Sequence, residues 1–428
     1  MHAIAAAFGH DVHRAKHEGA VTFPALNGWT ATQRHVVVAS YLGWTLDAFD
    51  FFLLVFVMKD VASEFVTPLS SVALAVTLTL ALRPVGAYVL GRLADRFGRR
   101  PILMADVALY SLLGFSTAFA PNLVVFLVIR ALFGVAMGGE WGIGASLTME
   151  HIKPESRGFV SGVLQSGYPS GYLLASLVYG LLYSSIGWRG MFMVSIVPAL
   201  LILYIRSNVP ESPAFHRPRA ASVKRMDMVA KYWKLALYAI LLMTAFNFFS
   251  HGTQDLYPTF LQKQRHFSHE TVGTIAVIYN IGAILGGLTF GSISQVFGRR
   301  RAIVVAALLA IPAVWLWAFS PTATMLAVGA FVVQFFVQGA WGVIPAHLNE
   351  LSPPEWRGTF PGTVYQLGNL IASSNAVLQA RFAESHGNNY ALALAGVAIA
   401  ASLTIALLIG LGREAKGVDM ATGALPSG

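Results

Sequence analysis

Residues 91–100 read GRLADRFGRR, and residues 291–300 read GSISQVFGRR. Two further pairs share this 200-residue offset: Gly139-Glu140-Trp141-Gly142 with Gly339-Ala340-Trp341-Gly342, and Pro154-Glu155-Ser156-Arg157-Gly158 with Pro354-Glu355-Trp356-Arg357-Gly358. Three matches at one offset identify an internal duplication. Each ten-residue copy lies between two apolar runs, where its glycines allow a tight helix–loop–helix turn. Arg96, Arg99 and Arg100 anchor the first turn at one membrane face, and Arg299 and Arg300 anchor the second. Asp95 is placed to accept hydrogen bonds from these arginines or from a neighbouring helix end. The second copy has Gln295 instead.

Twelve mostly apolar stretches surround the turns: 35–58, 70–91, 101–120, 122–148, 158–184 and 190–206, then 233–260, 271–293, 302–319, 322–348, 359–382 and 389–411. At 1.5 Å per residue most of them cover a hydrocarbon core of about 30 Å. The composition agrees, with 56% hydrophobic and 11% charged residues and no cysteine among 428. A soluble domain carries about a quarter charged residues. An ordinary cytosolic enzyme, a disordered scaffold and a disulfide-stapled secreted protein are thereby excluded, as are thiol catalysis and thiolate metal sites. The fold class expected is an all-α integral membrane protein, twelve transmembrane helices in two pseudo-symmetric six-helix bundles. The expected division is a cytoplasmic N-terminal segment (1–34), a first bundle (35–206), a cytoplasmic linker (207–232), a second bundle (233–411) and a cytoplasmic tail (412–428). Duplicated six-span halves are the signature of a secondary transporter whose site lies between them.

The formal charge of +9 is a topology signal. Lys59, Arg189, Lys263, Arg265 and Arg381 fall at the outer side, Arg83 and Arg130 fall within spans, and every other Lys and Arg falls at the cytoplasmic side. That bias places both termini in the cytoplasm of a plasma (inner) membrane protein and gives no nucleic-acid signature. No long apolar run precedes the first span, so a cleaved signal peptide is not expected. Arg217, Arg219, Lys224 and Arg225 suit a solvated linker or contact with anionic headgroups.

A charge within a span costs at least about 2.5–3.5 kcal/mol. Asp47, Asp50, Arg83, Arg130, Glu140 and Asp255 therefore each need a reason. Asp106 is read as too near the cytoplasmic end to join them, and Glu150 and Glu350 as braces for the basic turns. Asp47 and Asp50 share one helical face at i,i+3. Two carboxylates in a poorly hydrated site rarely both ionise, which suits a proton carrier; the competing role is a fixed pair with an arginine such as Arg130. Arg83 and Glu140 lie at similar depth, so Arg83 either pairs with Glu140 or captures a substrate carboxylate bidentately. In the seventh span Asn247, Ser250, His251, Gln254 and Asp255 form one polar stripe. Gly252 and Pro258 weaken the helix there.

The repeated turn, Arg130 four residues before Gly134, Gly187-Trp188-Arg189 and the Pro210-Glu211-Ser212-Pro213 exit resemble the major facilitator superfamily over essentially the whole chain. That resemblance implies a cytoplasmic gate at Asp95, Arg96, Arg99, Arg100, Arg299 and Arg300. The stripe resembles the N-x-x-[S/T]-H-x-[S/T]-Q-D-x-x-x-T signature of the fungal Jen-type lactate/pyruvate permeases, which belong with the sialate:proton symporters. Every specified position matches, from Asn247 to Thr259. Thr79-Leu-Ala-Leu-Arg83 and Gln366-x-x-Asn369 add local similarity. The resemblance implies monocarboxylate recognition by Arg83, Asn247, His251, Asp255, Gln366 and Asn369, and Ser250 and Gln254 share the same stripe. Asp47-Ala-Phe-Asp50 is similar to the D-G-x-D element of the aromatic-acid:proton symporters, with Ala48 replacing the glycine.

A monocarboxylate is ionised at neutral pH, and an inside-negative potential opposes its influx by about 2.3 kcal/mol per 100 mV. A proton carried with the anion removes that barrier, and Asp47, Asp50, Glu140, His251 and Asp255 are the candidate proton sites. The expected activity is proton-coupled import of a small monocarboxylate such as lactate or pyruvate by alternating access. An aromatic-acid or sialic-acid:proton symporter is the alternative, ahead of a sugar facilitator or a drug:proton antiporter. No enzyme pattern, cofactor motif or metal-ligand spacing is seen. The expected partners are the carboxylate, the proton and the lipid bilayer, and family analogy suggests a monomer.

Overall fold

The computed structural model describes residues 28–215 and 225–420, without the side chains of residues 69, 70, 225–230 and 269. Residues 1–27, the linker positions Arg217, Arg219 and Lys224, the side chain of Arg225 and residues 421–428 lie outside the described residues. No strand occurs among those described. In α1 (Ala31–Glu64) the Thr30 hydroxyl accepts from the Gln33 amide, and the Gln33 side chain accepts from the Thr30 amide. This reciprocal cap satisfies two helix-end donors. The first half continues with α2 (Leu69–Phe97), α3 (Arg99–Thr117), α4 (Leu123–His151), α5 (Arg157–Met193) and α6 (Leu200–Asn208). The second half comprises α7 (Arg225–Gln254), α8 (Tyr257–Lys263), α9 (His269–Phe297), α10 (Arg299–Phe319), α11 (Ala323–Leu351), α12 (Phe360–Ala372), α13 (Asn375–Ser385) and α14 (Tyr390–Leu411).

These helices make the twelve expected passes. Nine stretches among the described residues are long and apolar enough to cross a membrane, and one of them, 154–208, holds two passes. The other two passes are α3, whose 19 residues include Arg99, Arg100 and Asp106, and the α12–α13 pair. Several passes are interrupted. Helix α5 runs from the fifth pass into the sixth through Gly187 at φ 60°, ψ −174°, a backbone state open almost only to glycine. The sixth pass then narrows to a 3₁₀ stretch at Val194–Ala199 before α6. The seventh breaks after Gln254, and Pro258 sits in the first turn of α8, where its missing N–H leaves no helical bond unmade.

The two Gly-Arg-Arg turns are built alike. Gly98 (φ 109°) joins α2 to α3, and Gly298 (φ 93°) joins α9 to α10. Glu211 caps α3 by accepting from the amides of Arg99 (2.9 Å) and Arg100 (3.1 Å). Glu414 does the same for α10 at the Arg300 amide, 3.1 Å away. Arg99 pairs with Asp95 and Glu150, each at 3.1 Å. Arg299 grips Glu350 through two nitrogens, each at 3.0 Å.

The halves meet where α5 packs on α9 and α11, and α12 on α2 and α4. Glycines make the approach close: a Cβ added at Gly291 would lie 2.6 Å from the Gly158 carbonyl oxygen, and one at Gly142 would lie 2.8 Å from Gly362 Cα. The polar contacts between halves gather at the basic end. Asp95 accepts from the Gly358 amide (2.9 Å) and the Thr359 hydroxyl (2.5 Å). Gln295 accepts from the Gly158 amide (3.0 Å), and Ser161 from the Ala346 amide (3.0 Å). Residues 412–420 lie across the same end, with Arg157 donating to the Val418 carbonyl at 2.6 Å and Arg357 to that of Met420. The basic end is closed.

Candidate functional site

A cavity of about 380 Å³ lies between the halves. From the first half α1 supplies Trp44, Phe51 and Phe52, α2 supplies Arg83, and α5 supplies Gln165, Tyr168 and Tyr172. From the second half the whole stripe of the seventh pass faces it: Asn247, Ser250, His251, Gln254 and Asp255. Tyr279, Asn280, Gln338, Trp341, Tyr365 and Asn369 complete that side. Asp255 follows the last turn of α7, and 38% of its side chain is exposed. The cavity therefore communicates with solvent away from the closed basic end.

His251 occupies the centre of a hydrogen-bond chain. Its Nδ1 lies 3.2 Å from Asp255 Oδ1, and its Nε2 lies 3.0 Å from Asn369 Oδ1. Asn369 in turn donates to Gln366 Oε1 at 3.3 Å. Gln366 is thus a support behind Asn369, fully buried and off the cavity wall. Ser250 accepts from Gln338 (3.2 Å), and Gln254 donates to Gln334 (2.9 Å). Sequence reasoning passed over Gln334 and Gln338, although two glutamines at i,i+4 in an apolar tenth span are a visible signal.

Arg83 stands opposite. It is 3% exposed, its guanidinium donates to Met137 Sδ and lies 5.3 Å from the Phe51 ring centre. No described carboxylate forms an ion pair with it, and its Nε has no partner. The Arg83–Glu140 pair weighed from depth is not made. Both Glu140 oxygens lack partners; they lie where α4 faces Gly43 of α1, and a Cβ at Gly43 would sit 3.3 Å from the Glu140 carboxyl carbon. Arg130 does not pair with Asp50 either. Its guanidinium lies 4.0 Å from the Phe133 ring centre and 5.7 Å from that of Phe192. Asp47, Asp50 and Glu140 sit behind the cavity wall, not on it, because Trp44, Phe51 and Phe52 intervene on α1. Asp106, the eighth residue of α3, is fully buried as well, so nearness to the helix end does not expose it. Glycine at 139 lets α3 approach α4 there: a Cβ would lie 3.3 Å from Asp106 Oδ2.

At the closed end, Asp95 reaches the other half, whereas Arg99, Arg100, Arg299 and Arg300 bind within their own. Arg100 donates to the Arg206 carbonyl (2.5 Å) and Arg300 to that of Ile409 (2.8 Å). Arg96 is exposed, with its guanidinium 5.1 Å from the Phe97 ring centre, and joins no contact between halves among the described residues. Gln295, Ser161, Thr359 and Arg157, which is 3.8 Å from Glu350, make cross-contacts that motif reading missed. The duplication held the signal, since Gln295–Gly158 is the symmetry mate of Asp95–Gly358.

Two similar helical halves, sealed at one end around a central cavity with a lone guanidinium, define a membrane solute carrier. The chain belongs to the major facilitator superfamily. Residues 41–263 match the Major Facilitator Superfamily, and residues 233–412 match the Sugar (and other) transporter family. Over 88% of its length it is 28% identical to a carboxylic acid transporter protein homolog of Saccharomyces cerevisiae, of which it spans 65%. It is 25% identical to the sialic acid transporter NanX of Escherichia coli, covering 88% of this chain and 94% of that one. The fold matches the proton:xylose symporter XylE with a TM-score of 0.71 at 17% identity, covering 90% of this chain and 97% of that one.

Proposed function

We propose that the protein imports a small monocarboxylate, such as lactate or pyruvate, together with a proton. The observation that carries this reading is Arg83: a buried guanidinium on the cavity wall with no carboxylate of its own. Such a charge is costly at membrane depth and, on a cavity wall, is suited to hold an anion; its fork matches a carboxylate bidentately. The names of the yeast and bacterial relatives, carboxylic acid and sialic acid transporters, support an acidic substrate.

Arg83 also lies within electrostatic reach of Asp47 behind the wall and of His251 across the cavity. An anion bound at Arg83 offsets the guanidinium charge and so favours proton uptake at both neighbours. Linkage makes the effect reciprocal. A protonated His251 donates to Asp255 and Asn369 at once, while a neutral ring donates to only one. Release follows when the halves rock about the site, breaking the Asp95–Gly358 and Gln295–Gly158 contacts. By its basic residues the closed end is the cytoplasmic one, which makes the structure outward-facing. The protein acts as a monomer in the plasma (inner) membrane, with the division between halves at 207–232.

The aromatic lining favours a second reading. Eight aromatic side chains face a cavity of about 380 Å³, at the lower end of the range of about 300–1,000 Å³ for small-molecule sites. A flat, ring-sized acid fills that wall better than a three-carbon acid. Uptake of labelled lactate into proteoliposomes, with an acidic exterior and competed by pyruvate, benzoate, nicotinate and xylose, decides between them. Competition by benzoate or nicotinate but not pyruvate selects the aromatic acid. Competition by xylose alone, or no uptake of any acid, removes the carboxylate reading altogether.

A further inference from the structure

We propose that Asp106 is a further proton-binding residue of the transport cycle, holding a proton in a compartment of the first half sealed from the cavity. This rests on the proton-coupled reading above and adds a site to it. Four carboxylates occupy that compartment: Asp47 and Asp50 from α1, Asp106 from α3 and Glu140 from α4. The Asp50 carboxylate faces the Ser195 hydroxyl, and the six oxygens of Asp47, Asp106 and Glu140 have no hydrogen-bond partner among the described residues. Glu140 lies within electrostatic reach of both Asp47 and Asp106, and Asp106 within reach of Asp47.

The charged groups facing them are Arg83 from α2 and Arg130 from α4. At most two of the four carboxylates have a guanidinium within reach to balance them, and only one while Arg83 holds a substrate anion. At least two therefore have no counter-charge, and a bare carboxylate in a dry interior costs several kcal/mol or more. A bound proton removes that cost. A metal ion does not fit, since no group of three or more such side chains converges to hold one among the described residues.

Tyr110 supplies a separate indication. It stands one turn beyond Asp106 on α3, is fully buried, and its hydroxyl has no partner. That hydroxyl lies within electrostatic reach of Glu140, Asp47, Asp50 and Asp106. A phenol both donates and accepts, so it is suited to pass a proton between Asp106 and the carboxylates nearer Arg83. Asp47, which feels the Arg83 charge, connects the compartment to substrate binding; Asp106, remote from the cavity lining, stores the proton while the cavity changes sides.

The test compares two activities of purified protein in proteoliposomes: exchange of labelled for unlabelled acid at equal pH, and accumulation driven by an acidic exterior. In D106N the ratio of accumulation to exchange falls about tenfold, within the usual range of coupling between two ligands, and D106E restores it. Y110F, which keeps the ring packing, lowers the same ratio. A folded D106N with the wild-type ratio overturns the proposal. If D106N does not fold, a wild-type ratio in Y110F overturns it. Accumulation driven by sodium and indifferent to pH also overturns it. Failure of the wild type itself to accumulate any acid is a different result, and strikes the proton-coupled reading instead.

Discussion

Arg83 and Arg130 differ from Arg99 and Arg189 in that neither guanidinium meets a described carboxylate, and of the two Arg83 lines the cavity. Arg99 has Asp95 and Glu150, and Arg189 has Glu64 at 2.6 Å, whereas Arg83 has a thioether and a phenylalanine ring. Removing one partner of a buried charge pair costs about 2–5 kcal/mol. Arg83→Ala is therefore expected to weaken acid binding by at least about thirtyfold. Arg83→Lys keeps the charge but loses the planar fork, and should bind the acid at an intermediate level. Equilibrium binding of labelled acid to purified protein checks both; wild-type affinity in Arg83→Ala removes the capture role. At this scale the sequence was read well where polarity alone decides, as in the stripe Asn247–Asp255, all of which reaches the cavity. It was read poorly where a neighbour decides. Counting along α3 puts Asp106 near the helix end, but its burial involves the close approach of Gly139 on another helix, which no count along α3 reveals.

The helix-joining turns show how one residue type fixes an element. Gly98 adopts φ 109°, ψ 152° and Gly298 φ 93°, ψ 157°, a region that side chains other than hydrogen reach only at a cost of about 1–3 kcal/mol. A Cβ at Gly98 would also approach the Glu211 carboxyl carbon to 2.9 Å, disturbing the group that caps α3. Gly98→Ala should lower the melting temperature in detergent by several degrees, and Gly298→Ala by less, because Glu414 stands farther away, its carboxyl carbon at 3.6 Å. Equal melting temperatures for Gly98→Ala and wild type would contradict the strain argument. The turns were legible because glycine and arginine at fixed spacing have few other uses. The breaks at Gly187, after Gln254 and at Ser373-Ser374 were less so. Lipid demands that backbone groups be satisfied, but neighbouring helices can satisfy them; Gln379, for instance, donates to the Gly252 carbonyl at 2.9 Å.

Across the whole molecule the duplication decides both shape and movement. A seam made of symmetry-related contacts, Asp95 with Gly358 and Gln295 with Gly158, would open as a unit if one half tilted, since both bonds join the same two halves. Glycines at 142, 158, 291 and 362 let the backbones meet there, so the seam forms largely by close approach, with Arg157 to Glu350 a charged contact across it. This explains why the basic motif exposed the turns and, in Asp95, one residue that joins the halves, but not most of the other joining groups: they are amides, hydroxyls and one glutamine, which carry no distinctive pattern. The alternating access proposed above requires this seam to open, and the absence of native cysteine makes the requirement directly measurable. Ser161 and Ala346 face each other across it, the Ala346 amide 3.0 Å from the Ser161 hydroxyl. In the double variant S161C/A346C, a short thiol-to-thiol cross-linker should abolish acid transport, cleavage of the linker should restore it, and each single variant should be indifferent to the reagent. Transport that persists in the fully cross-linked protein would show that the acid crosses without the halves separating at this end.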